Sequence, residues 1–379
     1  MLARLRPDPT RARRVLMIAA LAIAAGQLAT GLALDAAPRK VRFPGAADVL
    51  ARAHAIGDVP FVLLLGSSRF WRIDVGTVTT ALRKTMGGVP PPVVNGAVRA
   101  GDPVVADYLV ENLLAQGSRP GLVALEISPE TIARPAPWVA EHAIRFFTWK
   151  DVVAWAPEIV VGDRASRVAA ARFTPIHMYR REILTWVVGR EPPYLRVLRP
   201  GHATQPASHA KPVVVTDEVQ PDAAAETVRP PAAAEPPARG PRVWTVAGLG
   251  QTRKWLRRYR PDGGAARALE HVLARCNDLG IRVVLVGVPV TSSVRGLYTP
   301  EVERAFQDQV ERMSRRYAAE FLDYRGRIPD ELFKDHHHLN PRGLFLLSHM
   351  LAEEVVAPRW QHAGPDSTSN RSSAERAHE

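Results

Sequence analysis

Five short strand-like runs, several of them almost uninterrupted in apolar residues, constrain this chain most: FVLLLGSS (61–68), PPVVNGAV (91–98), GLVALEIS (121–128), IRVVLVGVPV (281–290) and the shorter EFLDY (320–324). A strand that is apolar at nearly every position has both faces buried. In soluble proteins that is the pattern of a parallel sheet covered by helices on each side. The stretches between the runs carry helical spacing: VGTVTTALRKTM, PVVADYLVENLLAQG, GGAARALEHVLARCNDLG and TPEVERAFQDQVERMSRRYAA. Strands alternating with helices predict an α/β protein, a three-layer α/β/α sandwich around a mostly parallel five-stranded sheet. Ligands of such sheets bind outside the carboxyl ends of the strands.

The alternation breaks after Pro129. Residues 138–190 hold aromatic and basic helical stretches, RFFTWKDVVAW and PIHMYRREILTWVVG among them, and read as an inserted helical segment. Residues 191–243 are rich in Pro, Ala and charge. Such a composition cannot bury enough apolar surface to offset the entropy of ordering, so a disordered linker is expected there. The expected organisation is a first part of the domain over 35–190, the linker, a second part over 244–360 and a loose polar tail over 361–379.

The N-terminus indicates the compartment. After a basic stretch (1–14) that ends in Arg11, Arg13 and Arg14, an apolar run extends from Val15 to Leu34. As a helix it is roughly 30 Å long, the hydrocarbon thickness of a bilayer. Positive charge before the run places the N-terminus in the cytoplasm and the main domain outside, periplasmic or extracellular. The reading adopted is a single-pass signal anchor over 15–34. A cleaved signal peptide, with Gly31 and Ala33 as small residues of the cleavage site, stays open. Both send the domain across the membrane.

The formal net charge of +12 suits an acidic partner, either anionic lipid or an acidic polysaccharide. The arginines are spread along the chain without a zinc-finger, RRM or basic-zipper signature, so no nucleic acid is expected as partner. The single cysteine, Cys276, excludes an intrachain disulfide framework and a cysteine-based zinc site. It falls in an amphipathic helical stretch and reads as a small core residue.

Two blocks carry chemistry. In the first, an apolar strand ends in Gly66-Ser67-Ser68, where glycine permits a tight turn and a serine hydroxyl can stand at the open edge of the sheet. Taken alone, Ser68 reads equally well as a helix cap or turn hydroxyl. In the second, Asp335 and His338 stand three positions apart, just before a helix that Pro341 can start. That spacing lets the carboxylate reach Nδ1 of the imidazole and leaves Nε2 to take a proton from a hydroxyl. The run His336 to His338 could also hold a metal ion, but adjacent side chains diverge, and no metal is expected. Trp71, Trp149, Trp186 and Trp255 could line a sugar groove or fill a core, and Glu126 could serve as an acid or pair structurally.

Together the GSSR turn and the D-x-x-H-L-N-x-x-G loop resemble the SGNH, or GDSL-like, hydrolase superfamily, over roughly residues 60–130 and 265–355. The resemblance implies a flavodoxin-like fold and no cofactor. It makes Ser68 the nucleophile, His338 the base and Asp335 the acid that orients it. It implies an oxyanion hole from the Ser68 N–H, Gly101 and the position after the third strand, where Ser128 replaces the family's asparagine. Arg69, Asn95 and Arg99, near the strand ends, are the expected substrate-binding residues. The GSSR variant is similar to the envelope branch that includes alginate-acetylation and teichoic-acid D-alanylation factors. That branch implies an outward-facing acyltransferase or esterase acting on O-acyl groups of a cell-envelope polysaccharide, paired with a membrane-bound O-acyltransferase. The missing asparagine keeps a second expectation open, a non-catalytic glycan-binding or scaffold protein of the same fold.

Overall fold

A computed structural model describes residues 9–36, 42–134, 136–160, 165–188, 247–257 and 259–360. The expected linker at 191–243 and tail at 361–379 lie outside these residues. All five expected strands form: β1 (Phe61–Leu65), β2 (Val93–Asn95), β3 (Pro120–Ile127), β4 (Arg282–Gly287) and β5 (Glu320–Asp323). They build one sheet in the order β2-β1-β3-β4-β5, and every pairing is parallel. The winding reverses between β1 and β3, and in such sheets that reversal opens a crevice at the strands' carboxyl ends.

Strand periodicity sorts the apolar runs into two cores. Leu63, Leu65, Val123, Leu125, Val283 and Leu285 belong to one, with helices Pro44–His54, Pro103–Ala115, Gly264–Asp278 and Pro300–Tyr317. Their neighbours Val62, Leu64, Leu122, Ala124, Val284 and Val286 belong to the other, under helices Val75–Met86 and Pro341–Met350. The result is the three-layer α/β/α sandwich. Helix Pro44–His54 was not among the expected elements, although its Ala46, Val49, Leu50 and Ala53 recur at helical spacing and are buried.

Caps fix where the helices begin, and hence the loops that bear the site. Asp102 accepts the N–H groups of Val104 and Val105 and starts the helix after β2. Asn340 accepts those of Arg342 and Gly343, so helix Pro341–Met350 begins three residues after His338. Six short helices fill 136–160 and 165–188, and those at Ala165–Phe173 and Pro175–Met178 pack on the N-terminal helix Pro9–Ala36. That helix is long and apolar enough to cross a membrane, with mean hydropathy 2.0 over its most apolar window.

Candidate active site

The turn after β1 depends on a glycine. A Cβ at Gly66 would stand 2.7 Å from the Cβ of Glu126, so no larger residue leaves room for that carboxylate at the end of β3. Glu126 then organises the turn. Its Oε2 accepts the Ser67 N–H at 2.7 Å and its Oε1 the Ser67 hydroxyl at 2.6 Å. Ser67 also caps the short helix Ser68–Trp71, accepting the Arg69 N–H. The capping role that the sequence left open for Ser68 therefore falls to Ser67.

The Ser68 hydroxyl stands 2.7 Å from Nε2 of His338. Nδ1 of the same ring lies 2.9 Å from both carboxylate oxygens of Asp335. Asp335 Oδ1 also accepts the backbone N–H groups of His337 and His338, which holds the carboxylate in the plane of the loop. Burial works against ionising Asp335. The His338 hydrogen bond and charge, with the His337 N–H, outweigh it and hold this carboxyl well below the usual range. An anionic Asp335 accepts the hydrogen bond from Nδ1–H, and this tautomer leaves Nε2 to accept from the Ser68 hydroxyl. The His337 ring lies 4.3 Å from that of His338, centroid to centroid. Burial, followed by the charges of His338 and Arg69, pushes His337 down to about 4. The His336 carbonyl accepts both the N–H and the hydroxyl of Thr291, tying this loop to the one after β4.

Arg69 requires a correction. It was expected to bind substrate, but it is buried beneath the turn. Its Nε donates to Glu126 Oε1 at 2.8 Å, Nη1 to Glu130 Oε1 at 2.7 Å and Nη2 to the Ser128 hydroxyl at 3.0 Å. Tyr298 adds its hydroxyl to Glu130 at 2.8 Å. Burial opposes the Arg69 charge, but Glu126 and Glu130 more than restore it, and its pKa is raised. Glu130 is likewise held below the carboxylate range by Arg69, against its own burial.

Three more expectations change. Ser128 is fully buried and its hydroxyl is shared between Arg69 and Thr131, so it does not face a bound acyl group. Asn95 donates its amide to the carbonyls of Phe70 and Ile73 and accepts the Ala97 N–H, bracing the turn and not binding substrate. The Gly101 N–H donates to the Val98 carbonyl at 2.8 Å and is already committed. Glycine is needed there for another reason, because a Cβ would lie 2.5 Å from the Gly66 carbonyl. The preceding Ala100 holds a left-handed φ of 59°, an uncommon conformation for a residue with a side chain. Of the three expected oxyanion donors, the Ser68 N–H remains. It is the first of its helix and has no intrahelical carbonyl to meet.

Arg99 stays exposed, its guanidinium 5.4 Å from the ring centre of the exposed Trp71. Arg72 is exposed beside it. Burial, then the charge of Arg72 and, more weakly, that of Arg99, lower the Lys334 pKa against the pull of Asp335. Glu130 and Tyr298 went unmarked in the sequence, Ser67 was named there only as part of the turn, and His337 only within the histidine run weighed for a metal. The one available signal was Glu126 itself, a carboxylate inside an otherwise apolar strand, which must have a cationic partner to be buried. Asp335, His337 and His338 bring one donor atom each within 4.8 Å of one another, close enough for a metal ion. A metal there would take one ring nitrogen of His338 and so displace either its Asp335 or its Ser68 hydrogen bond.

No protein-family model and no curated protein matches the chain. Among solved structures it is similar to a gut microbial diltiazem-metabolizing enzyme, at 9% identity and a TM-score of 0.36, covering 78% of this chain. The chain spans 47% of the length of that enzyme. It is also similar to a protein described as a platelet activating factor from Streptococcus pneumonia, at 12% identity and a TM-score of 0.36, covering 86% of this chain and 97% of that one.

Proposed function

We propose that this protein is a membrane-anchored, extracytoplasmic serine O-acyltransferase or esterase of the SGNH type, acting on O-acyl groups of a cell-envelope polysaccharide. The observation that carries the reading is the contact series Ser68 Oγ to His338 Nε2 at 2.7 Å and His338 Nδ1 to Asp335 at 2.9 Å. A serine hydroxyl becomes a useful nucleophile only beside such a base. Ser68 Oγ attacks the acyl carbonyl while its proton passes to Nε2. The ester C–O bond breaks, and Nε2 returns the proton to the departing oxygen. A sugar hydroxyl or water then gives its proton to Nε2 and takes the acyl group from Ser68. Asp335 stabilises the imidazolium formed in each half. Arg72, Arg99 and Lys334 with the face of Trp71 suit an acidic sugar polymer, and Arg11, Arg13 and Arg14 before the membrane helix support an extracytoplasmic domain.

In membranes carrying the full chain, a fluorophosphonate probe is expected to label the protein and to spare Ser68→Ala. The variant should lose about 10³-fold or more of the rate of acetate release from acetylated envelope glycan. Equal labelling of both proteins overturns the assignment.

One observation favours a second reading, a glycan-binding or scaffolding partner of a membrane-bound O-acyltransferase. The Gly101 N–H and the Ser128 hydroxyl are both engaged within the protein, and one missing oxyanion donor costs about 10²–10³-fold in rate. Undiminished polysaccharide acylation in cells carrying Ser68→Ala or His338→Ala would select this reading.

A further inference from the structure

The short helices between 149 and 188 carry surface that the proposed chemistry does not use. Phe173 and Trp186 are 68% and 61% exposed, and Trp149, Ile176, Val187 and Val188 are exposed with them. Such a concentration of large apolar side chains marks a surface that meets something other than water. Its position relative to the N-terminal helix indicates what. Asp35, at the end of that helix, is gripped by Arg172 at 2.7 Å and by the buried Arg42. Further back, the Ile176 N–H donates to the Gln27 side chain at 3.1 Å. Gln27 lies about 12 Å down the helix axis from Asp35, at the rise of an α-helix. If the apolar run from Val15 to Leu34 lies in hydrocarbon, Ile176 lies in it too. A domain resting on the headgroups could not reach so deep.

The chemistry of the contact agrees. The Gln27 amide is costly in hydrocarbon, and so is an N–H in the first turn of a short helix; each satisfies the other. A mostly apolar groove of about 480 Å³ opens between Ala20, Ile23, Ala24, Leu28 and Phe173, with Gln27, Arg172 and Thr174 also lining it. Trp149 and Trp186 are of the residue type that collects at the headgroup level, and the exposed Lys150 and Arg180 lie on the same helices.

We propose that the helices Trp149–Ala154, Ala165–Phe173, Pro175–Met178 and Arg180–Val188 form a second membrane-binding element, sunk into the phospholipid leaflet on the domain's side beside the N-terminal helix. It rests on that helix lying in a bilayer and not on the catalytic reading. The protein is then held by a broad foot instead of a single tether, and its orientation over the membrane is fixed.

The full chain, reconstituted in vesicles of three parts phosphatidylcholine to one part phosphatidylglycerol, tests this. Cys276 is buried and its thiol is pushed up to about 12, so it stays unlabelled and one cysteine can be added elsewhere. Phe173→Cys, Ile176→Cys and Trp186→Cys are each labelled with a polarity-sensitive fluorophore. Phe345→Cys, exposed on a helix of the opposite core, is the control. The three labels should be quenched severalfold more by nitroxide on lipid chains than the control and be shielded from aqueous iodide, position 176 most deeply. Iodide quenching equal to the control would place this face in water and overturn the proposal. Shielding from iodide without nitroxide quenching would show a protein covering it, a second copy or another chain, and overturn it equally.

Discussion

Ser67 gives its hydroxyl and its N–H to Glu126 and accepts the Arg69 N–H, and this leaves the neighbouring hydroxyl of Ser68 to His338. Beneath both serines, Arg69 holds Glu126 and Glu130 together out of water. Removing one partner of a buried ion network leaves charge that nothing compensates. Arg69→Leu should therefore cost about 3–5 kcal/mol of stability, measured by urea unfolding of the detergent-solubilised protein. A loss below about 1 kcal/mol would mean that the network is wet or already neutralised. The Asp335–His338 contact was legible because its evidence is local, a carboxylate three positions before a histidine; that Ser68 would meet them came from the resemblance of the two blocks to one family, since 270 positions separate it from His338. The fates of Arg69, Asn95 and Ser128 were not legible. Whether an arginine is solvated or buried depends on which side chain the neighbouring strand sets opposite it, and that partner, Glu126, is far away in sequence.

At the scale of elements, the loop after β2 sits on the turn after β1 so closely that Gly101 faces the Gly66 carbonyl without room for a methyl group. Gly101→Ala must push the two loops apart, and overpacking of this kind costs about 1–3 kcal/mol. Because the displaced turn carries Ser68, fluorophosphonate labelling should slow by more than the change in melting temperature accounts for. Labelling that follows stability alone would argue that the two loops move independently. The strands themselves were easy to read. A strand must be apolar on both faces when helices cover both sides, and β1, β3 and β4 declared themselves mostly that way, whereas β5, at the sheet edge, is EFLD with Glu320 and Asp323 exposed. Helix Pro44–His54 was harder, since its narrow apolar stripe is broken by Asp48, Arg52 and His54 and follows a basic connector.

Over the whole molecule, the half-buried His337 and the buried His142 make stability depend on pH. Burial pushes His337 down to about 4 and also lowers His142, whereas in the unfolded chain both titrate near about 6.5. Between those values the unfolded chain binds protons that the fold refuses, so stability is full above about 6.5 and falls as pH drops toward 4. Asp335, held low, adds a further loss only at more acid pH, where unfolded carboxyls near about 3.9 protonate first. Melting temperature should accordingly be level above neutrality and decline through mildly acid buffers, and His337→Gln should flatten part of that decline. A wild-type profile that stays level to pH 4 would contradict the neutral state assigned to these rings.

Ser68 and His338 touch across 270 positions of chain. During synthesis from the N-terminus, the hydroxyl emerges early and its base almost last, after β4 and β5. Until that final stretch closes onto the sheet, Ser68 is an ordinary alcohol. On the proposed function, the nascent polypeptide therefore carries no armed nucleophile, and reactivity arrives with completed folding.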